Sequence, residues 1–129
     1  MLSADINKKL IRRIFEEGLN EGLLEVVDEL FSEDFVDHST PEQEPGTAGV
    51  REYFTAVRTG FPDMQVTIDD LIAEGEKVVV RTTWRGTHRG TYYGHPATNQ
   101  QVARTMIQIF RIVGSRITEE WNEGNGLVE

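Results

Sequence analysis

The apolar residues of this chain change their spacing once, near Asp63, and that change limits the fold more than any other feature. Before it the spacing is helical. Ile6, Leu10 and Ile14 form one row and Ile11 with Phe15 the next, the stripe of an amphipathic helix. Gly18 and Gly22 punctuate a join, and a second short helix is predicted from about Asn20, with Leu23, Val26, Val27 and Leu30 turned inward. The segment SEDFVDHSTPEQEPGTAG, rich in Pro, Gly, Ser and acids, reads as a loop. A third helix with the face Val50, Tyr53, Phe54 and Val57 follows it and is stopped by Gly60 and Pro62. Beyond Asp63 the spacing is two residues: Met64, Val66, Ile68; Val78, Val80, Thr82, Trp84; Met106, Gln108, Phe110, Ile112; Ile117, Glu119, Trp121. These are four predicted strands. Glu74-Gly75-Glu76-Lys77 and Val113-Gly114-Ser115-Arg116 are tight connections that imply antiparallel pairing. Helices first and strands later predict an α+β fold, in which about three helices are wrapped by a curved mixed or antiparallel sheet. Such a sheet leaves a cone with an internal pocket.

Composition narrows the partners. At 129 residues and 38% hydrophobic content, one domain over residues 1–129 is expected, with enough apolar surface for a single core. A formal charge of −9 argues against nucleic acid and against anionic membrane surfaces. The chain has no cysteine, so disulfides and thiolate metal ligands are excluded. Charges interrupt the apolar positions of MLSADINKKLIRRIFEEG, unlike a signal peptide, and no run approaches the roughly 18 apolar residues of a membrane span. A cytoplasmic protein is the expectation.

Chemistry would have to sit inside the cone. On the strand from about 77 to 88, Val78, Val80, Thr82, Trp84, Gly86 and His88 share the face assigned to the interior. Lys77, Val79, Arg81, Thr83, Arg85 and Thr87 share the other, which reads as solvated or facing a second subunit. No H-x-H or H-x-x-x-H spacing suggests a metal, no G-x-S-x-G elbow suggests a nucleophile, and the glycines near residues 86, 90 and 94 open no helix for a phosphate. No cofactor is expected.

Phe35-Val36-Asp37-His38, Phe61-Pro62-Asp63-Met64, Gly86-Thr87-His88-Arg89-Gly90, Gly94-His95-Pro96-Ala97-Thr98 and Glu119-Glu120-Trp121-Asn122 together carry a resemblance that spans about Ile6 to Trp121. The chain resembles the SnoaL-like polyketide cyclase family, within the cone-shaped nuclear transport factor 2-like superfamily. The resemblance implies a deep pocket in an α+β cone, a homodimer and, as in the family's best-known members, a cofactor-free intramolecular aldol ring closure of a polyketide ester. Those members resemble one another in using an aspartate on the last strand as acid and base. Here the two matching positions are Asn122 and Asn125, and an amide exchanges no proton near neutral pH. Glu120 and Glu123 lie beside them, and alternation puts Glu120 with Asn122 on one face.

The candidate catalytic set is therefore His88, His38, Glu120 and Asn122, with Trp84, Gln108, Met106 and Tyr53 as substrate-binding walls. Each has a plainer reading: a hydrogen-bonded strand-end histidine for His88, a turn for Asp37-His38, simple packing for Tyr53 and core filling for Trp84. Tyr92 and Tyr93 beside a Gly-rich turn could form a lid, and His95 before Pro96 sits in a turn. Two functions compete: a cofactor-free cyclase, lyase or isomerase acting on a hydrophobic carbonyl compound, or a non-catalytic small-molecule-binding or dimerisation module of the same shape. The first predicts that His88 and His38 both reach one apolar pocket of several hundred cubic ångströms. The sheet face around Val79, Arg81 and Thr83 is the predicted dimer interface.

Overall fold

The computed structural model describes residues 3–128. Helix α1 (Ser3–Arg13) runs without a break into a π-helical segment (Ile14–Asn20), and α2 (Glu25–Leu30), β1 (Phe31–Asp37) and α3 (Thr47–Gly60) follow. Strands β2 (Gln65–Glu74), β3 (Lys77–Thr87), β4 (Gln101–Val113) and β5 (Arg116–Gly124) complete the chain. The sheet has five strands in the order β1-β5-β4-β3-β2, with β1 parallel to β5 and the other pairs antiparallel. This is the α+β arrangement expected from the change of period, with a mixed sheet. Among the described residues no helix is long and apolar enough to cross a membrane.

The first correction concerns β1, whose residues lie at the junction and start of the segment read as a loop. Its inward residues, Phe31 and Phe35, are fully buried and stack edge to face at 4.9 Å, while Glu33 and Asp34 face outward. Four acidic or hydroxyl residues in FSEDFVD conceal the strand, because pairing with β5 supplies what local propensity lacks. Ile6 and Leu23, assigned inward, are exposed, and Asn20 caps no helix. Its amide instead bridges to β2, donating to the Val66 carbonyl at 3.0 Å and accepting the Val66 N–H at 2.7 Å.

Curvature has local causes. In β2 the pairing with β3 shifts by one residue between Ile68 and Asp70, so Val66 and Ile68 face the helices before the bulge and Leu71 and Ala73 after it. Ile72 is thereby turned out and is 62% exposed. A second shift lies opposite Arg111 and Ile112 in the β4–β5 pair. An extra residue in one strand bends it and increases its twist, which lets the sheet wrap the helices. The Gly114-Ser115 turn has both residues at positive φ, 58° and 62°, as a type I′ hairpin requires. The helical side of the core comes from Leu10, Ile11, Ile14, Phe15 and Leu19, with Val50, Phe54 and Val57 of α3. Gly18 is required there, because a Cβ would lie 2.7 Å from the Phe54 ring.

Candidate functional site

Between the helices and the concave face of the sheet lies a cavity of about 670 Å³. Strand alternation builds its floor. Val80, Gln108 and Asn122 form one cross-strand row, and Val78, Phe110 and Glu120 form the next. Trp84, Met106, Gln108, Phe110, Glu120 and Asn122 all line the cavity from the sheet, while Phe15, Tyr53 and Phe54 line it from the helices. The Trp84 indole N–H is occupied by Thr82 Oγ1 at 2.9 Å, so this ring presents only its apolar surface.

A hydrogen-bonded polar cluster is set into the sheet side of that lining. Gln108 is 6% exposed, and its Nε2 donates to Glu120 Oε2 at 2.9 Å and to Asn122 Oδ1 at 3.1 Å. Asn122 Nδ2 donates in turn to Asp37 Oδ2 at 3.2 Å. Parallel pairing of β1 with β5 sets Asp37 directly beside Glu120, and the Ser39 N–H holds Asp37 Oδ1 at 2.9 Å. Glu120 faces the cavity rather than bulk solvent, and this burial pushes its carboxyl up to about 8, with the neighbouring Asp37 charge adding to the shift. The amides of Gln108 and Asn122 act in the opposite sense by stabilising the ionised form. A carboxyl so placed changes its proton near neutral pH. Burial likewise raises Tyr53 well above the ordinary tyrosine range, with Tyr92 and Glu120 contributing, and raises Tyr92 to about 12. Both phenols therefore stay protonated and can donate. Gln108 Oε1 is buried and has no hydrogen-bond partner.

The two histidines expected in the pocket are elsewhere. His88 is on the inward side and is only 3% exposed, but its ring stacks on Phe61 at 4.9 Å. Phe61 in turn meets Tyr92 edge to face at 5.5 Å, and of these three rings only Tyr92 lines the cavity. The backbone of His88 is held by Gln100 and Asn99, and Nδ1 lies 3.5 Å from Thr98 Oγ1. His38 sits on the convex side, where its ring stacks on Trp121 at 5.0 Å and Nε2 meets Glu119 Oε1 at 3.0 Å. Its backbone N–H continues the pairing with β5, and the strand parity that sends Asp37 inward sends His38 out. The expectation that both imidazoles share one pocket is not met. His95 forms a bridge with Tyr92 in a turn.

The six other residues singled out, Glu120, Asn122, Trp84, Gln108, Met106 and Tyr53, line one cavity. Asp37 was missed. Its only sequence signal is the two-residue step from Phe35, visible once the segment is seen as a strand. Tyr92 and Tyr93 also line the cavity, as do Asn125, Gly126 and Leu127. Among the described residues no group of three or more histidines and carboxylates has the geometry to hold a metal ion.

Comparison with known proteins agrees with this fold. The family model described as SnoaL-like polyketide cyclase matches residues 9–127. Among solved structures, TsrD from Streptomyces laurentii superposes with a TM-score of 0.88 at 26% identity, over 97% of this chain and 92% of that one. IdmH from Streptomyces antibioticus, a candidate polyketide cyclase, gives 0.77 at 28% identity, over 96% and 93%. AclR from Streptomyces galilaeus, a candidate hydroxylase, gives 0.82 at 26% identity, over 95% and 91%. No curated protein sequence matches the chain.

Proposed function

We infer, from the premise that this chain belongs to the SnoaL-like polyketide cyclase family, that it catalyses a cofactor-free proton transfer and ring closure on a hydrophobic carbonyl compound, with Glu120 as acid and base. The observation that carries this reading is the Glu120 carboxyl, held by Gln108 in an apolar cavity and poised near pH 8. An acid–base catalyst works best with a pKa near the working pH. Ionised Glu120 removes a proton from the carbon next to a carbonyl. The resulting enolate oxygen is stabilised by a phenolic O–H donor, Tyr53 or Tyr92, both kept protonated by burial. The enolate carbon attacks a second carbonyl of the same molecule, a carbon–carbon bond forms, and the new alkoxide takes the proton back from Glu120. Asn122 does not exchange protons in this scheme. It positions the pair by bonding Gln108 and Asp37 at once. His88 and His38 take no part.

Exchange of the activated hydrogen of an aryl β-keto ester for deuterium, followed by NMR, tests the proton-transfer half without knowledge of the natural substrate. Wild-type protein should catalyse it and Glu120→Gln should not; equal rates in the two proteins would overturn the assignment.

The binding-module reading has one specific observation in its favour: amides stand at both Asn122 and Asn125. Exchange catalysis absent from the wild type, together with retained ligand binding, is its signature.

The same reading includes a homodimer through the convex sheet face. Ile72, Val79, Ile109 and Trp121 form a continuous cross-strand row there, with exposed Ile107 one row away. Arg81, expected to seek acids of another chain, is paired within its own sheet to Asp70 at 2.6 Å, which leaves the apolar row as the adhesive part. Light scattering at micromolar concentration should give twice the chain mass, and Val79→Lys should give one; a monomeric wild type contradicts the dimer.

A further inference from the structure

The charge and hydrogen-bonding character of the cavity is lopsided in a way that the proton-transfer reading does not use. Its lining includes the carboxylates Asp37, Glu42, Glu44, Glu52 and Glu120. Arg104 is the only basic residue among the described lining residues, and its Nε and Nη1 are engaged by the carbonyls of Gly126 and Ala103. Gln108, more than nine-tenths buried in the same wall, keeps Oε1 without any donor, while both hydrogens of its Nε2 are spent on Glu120 and Asn122. A buried acceptor left unmatched is costly, and a ligand donor offsets that cost. The remaining walls are aromatic faces, Trp84, Tyr92 and Tyr53 among them, which attract cations through their ring quadrupoles.

We propose that the cavity selects an aromatic ligand carrying a hydrogen-bond-donating, positively charged amine and rejects the corresponding carboxylate. The inference rests on the cavity being a ligand site and specifies the class of compound it takes. The aromatic body packs against the aromatic lining, Trp84 and Tyr53 among it, and the amine meets the acceptors of Gln108 and Glu120. A carboxylate in the same pose would face Glu120 and Asp37 at close range and would leave Gln108 Oε1 unmatched. An ammonium beside Glu120 also favours its ionised form, so binding of the amine releases a proton where the free carboxyl is still protonated.

The test uses three isosteric probes on the intact chain: 2-(2-naphthyl)ethylamine, 2-(2-naphthyl)ethanol and 2-naphthylacetic acid, with affinities from titration calorimetry. The amine should bind tightest and the acid weakest, with at least about a tenfold span at low salt that shrinks in 0.5 M salt as screening reduces it. Replacing the exposed rim acids together, Glu42→Gln, Glu44→Gln and Glu52→Gln, should narrow the span several-fold without affecting folding. Gln108→Met, which keeps the length and removes the acceptor, should weaken the amine and the alcohol by roughly threefold or more and leave the acid unchanged. Binding of the acid equal to or tighter than the amine overturns the proposal while leaving a ligand cavity in place, as does an unchanged amine affinity in Gln108→Met. If none of the three binds at millimolar concentration, the ligand-site reading fails and the proposal with it.

Discussion

Gln108 and His88 are both buried polar residues with one unpartnered side-chain atom, and they end in opposite situations. Gln108 lies in mid-strand on β4, opposite Val80 and Asn122, where the concave face opens directly onto the cavity. His88 lies just past the end of β3, on the same side of the sheet as Trp84, but Phe61 is stacked over its ring and Tyr92 closes the gap behind that. The first is a wall of the cavity; the second is a pillar under the turn that carries Tyr92. Facing inward is therefore not enough for chemistry. What separates a reactive group from a structural one here is the presence of a packed aromatic ring in front of it.

The sharpest way to break this contrast is to remove the proton carrier on the open side. Glu120→Gln should lower the rate of α-proton exchange by about 10²–10⁴-fold, the usual contribution of a positioned acid or base, whereas His88→Gln should leave the rate within a factor of two or three. Loss of exchange in His88→Gln, at unchanged fold by circular dichroism, would erase the distinction. Phe61→Ala addresses the screen itself. Truncating a fully buried aromatic residue should destabilise the protein by about 3–5 kcal/mol in urea denaturation, and it should expose His88 to diethyl pyrocarbonate modification.

A smaller effect reads the environment of Glu120 through stability. Its pKa is raised on folding, so the folded state holds the proton more tightly than the unfolded chain. The contribution is fully present below the unfolded value near 4.5 and is lost as pH rises towards about 8. Glu120→Gln should accordingly raise Tm by a few degrees at pH 9 relative to wild type, with the difference vanishing near pH 4. An equal difference at both pH values would show that the carboxyl is not held in a low-dielectric site. Least of all should follow from His38→Ala: its solvent-screened contact with Glu119 contributes little, so Tm by thermal denaturation and ligand affinity should both stay close to wild type.

Much of this arrangement is legible in the sequence. Period-two spacing gives the inward faces of β3 and β4, and with them Trp84, Met106 and Gln108; on β5 it marks Ile117, Glu119 and Trp121, whereas the cavity is lined by the alternate face, Glu120 and Asn122. Three things escape it, each for a physical reason. The acids of FSEDFVD hide β1, because its strand character comes from a partner some 80 residues later in the chain; Asp37 was lost along with it. The bulge at Asp69 reverses the facing of β2 part-way along, which alternation carried on from Met64 cannot anticipate. The screen over His88 depends on Phe61, 27 positions earlier, whose packing no local pattern records.

The π-helical segment Ile14–Asn20 bears on how the cavity can change over evolutionary time. It supplies Ile14, Phe15 and Leu19 to the cavity and, at its end, Asn20 to β2. A π-helix closes its hydrogen bonds over one residue more than an α-helix does. Deleting a single residue there would convert it to a continuation of α1 and turn the helical side chains after the deletion by about 100° about the helix axis relative to those before it. The deletion would pull Asn20 off Val66 and swap which side chains meet the ligand, while every strand of the sheet kept its register. One inserted residue in a helix is thus a heritable means of reshaping the binding volume that requires no change of amino-acid type anywhere in its walls.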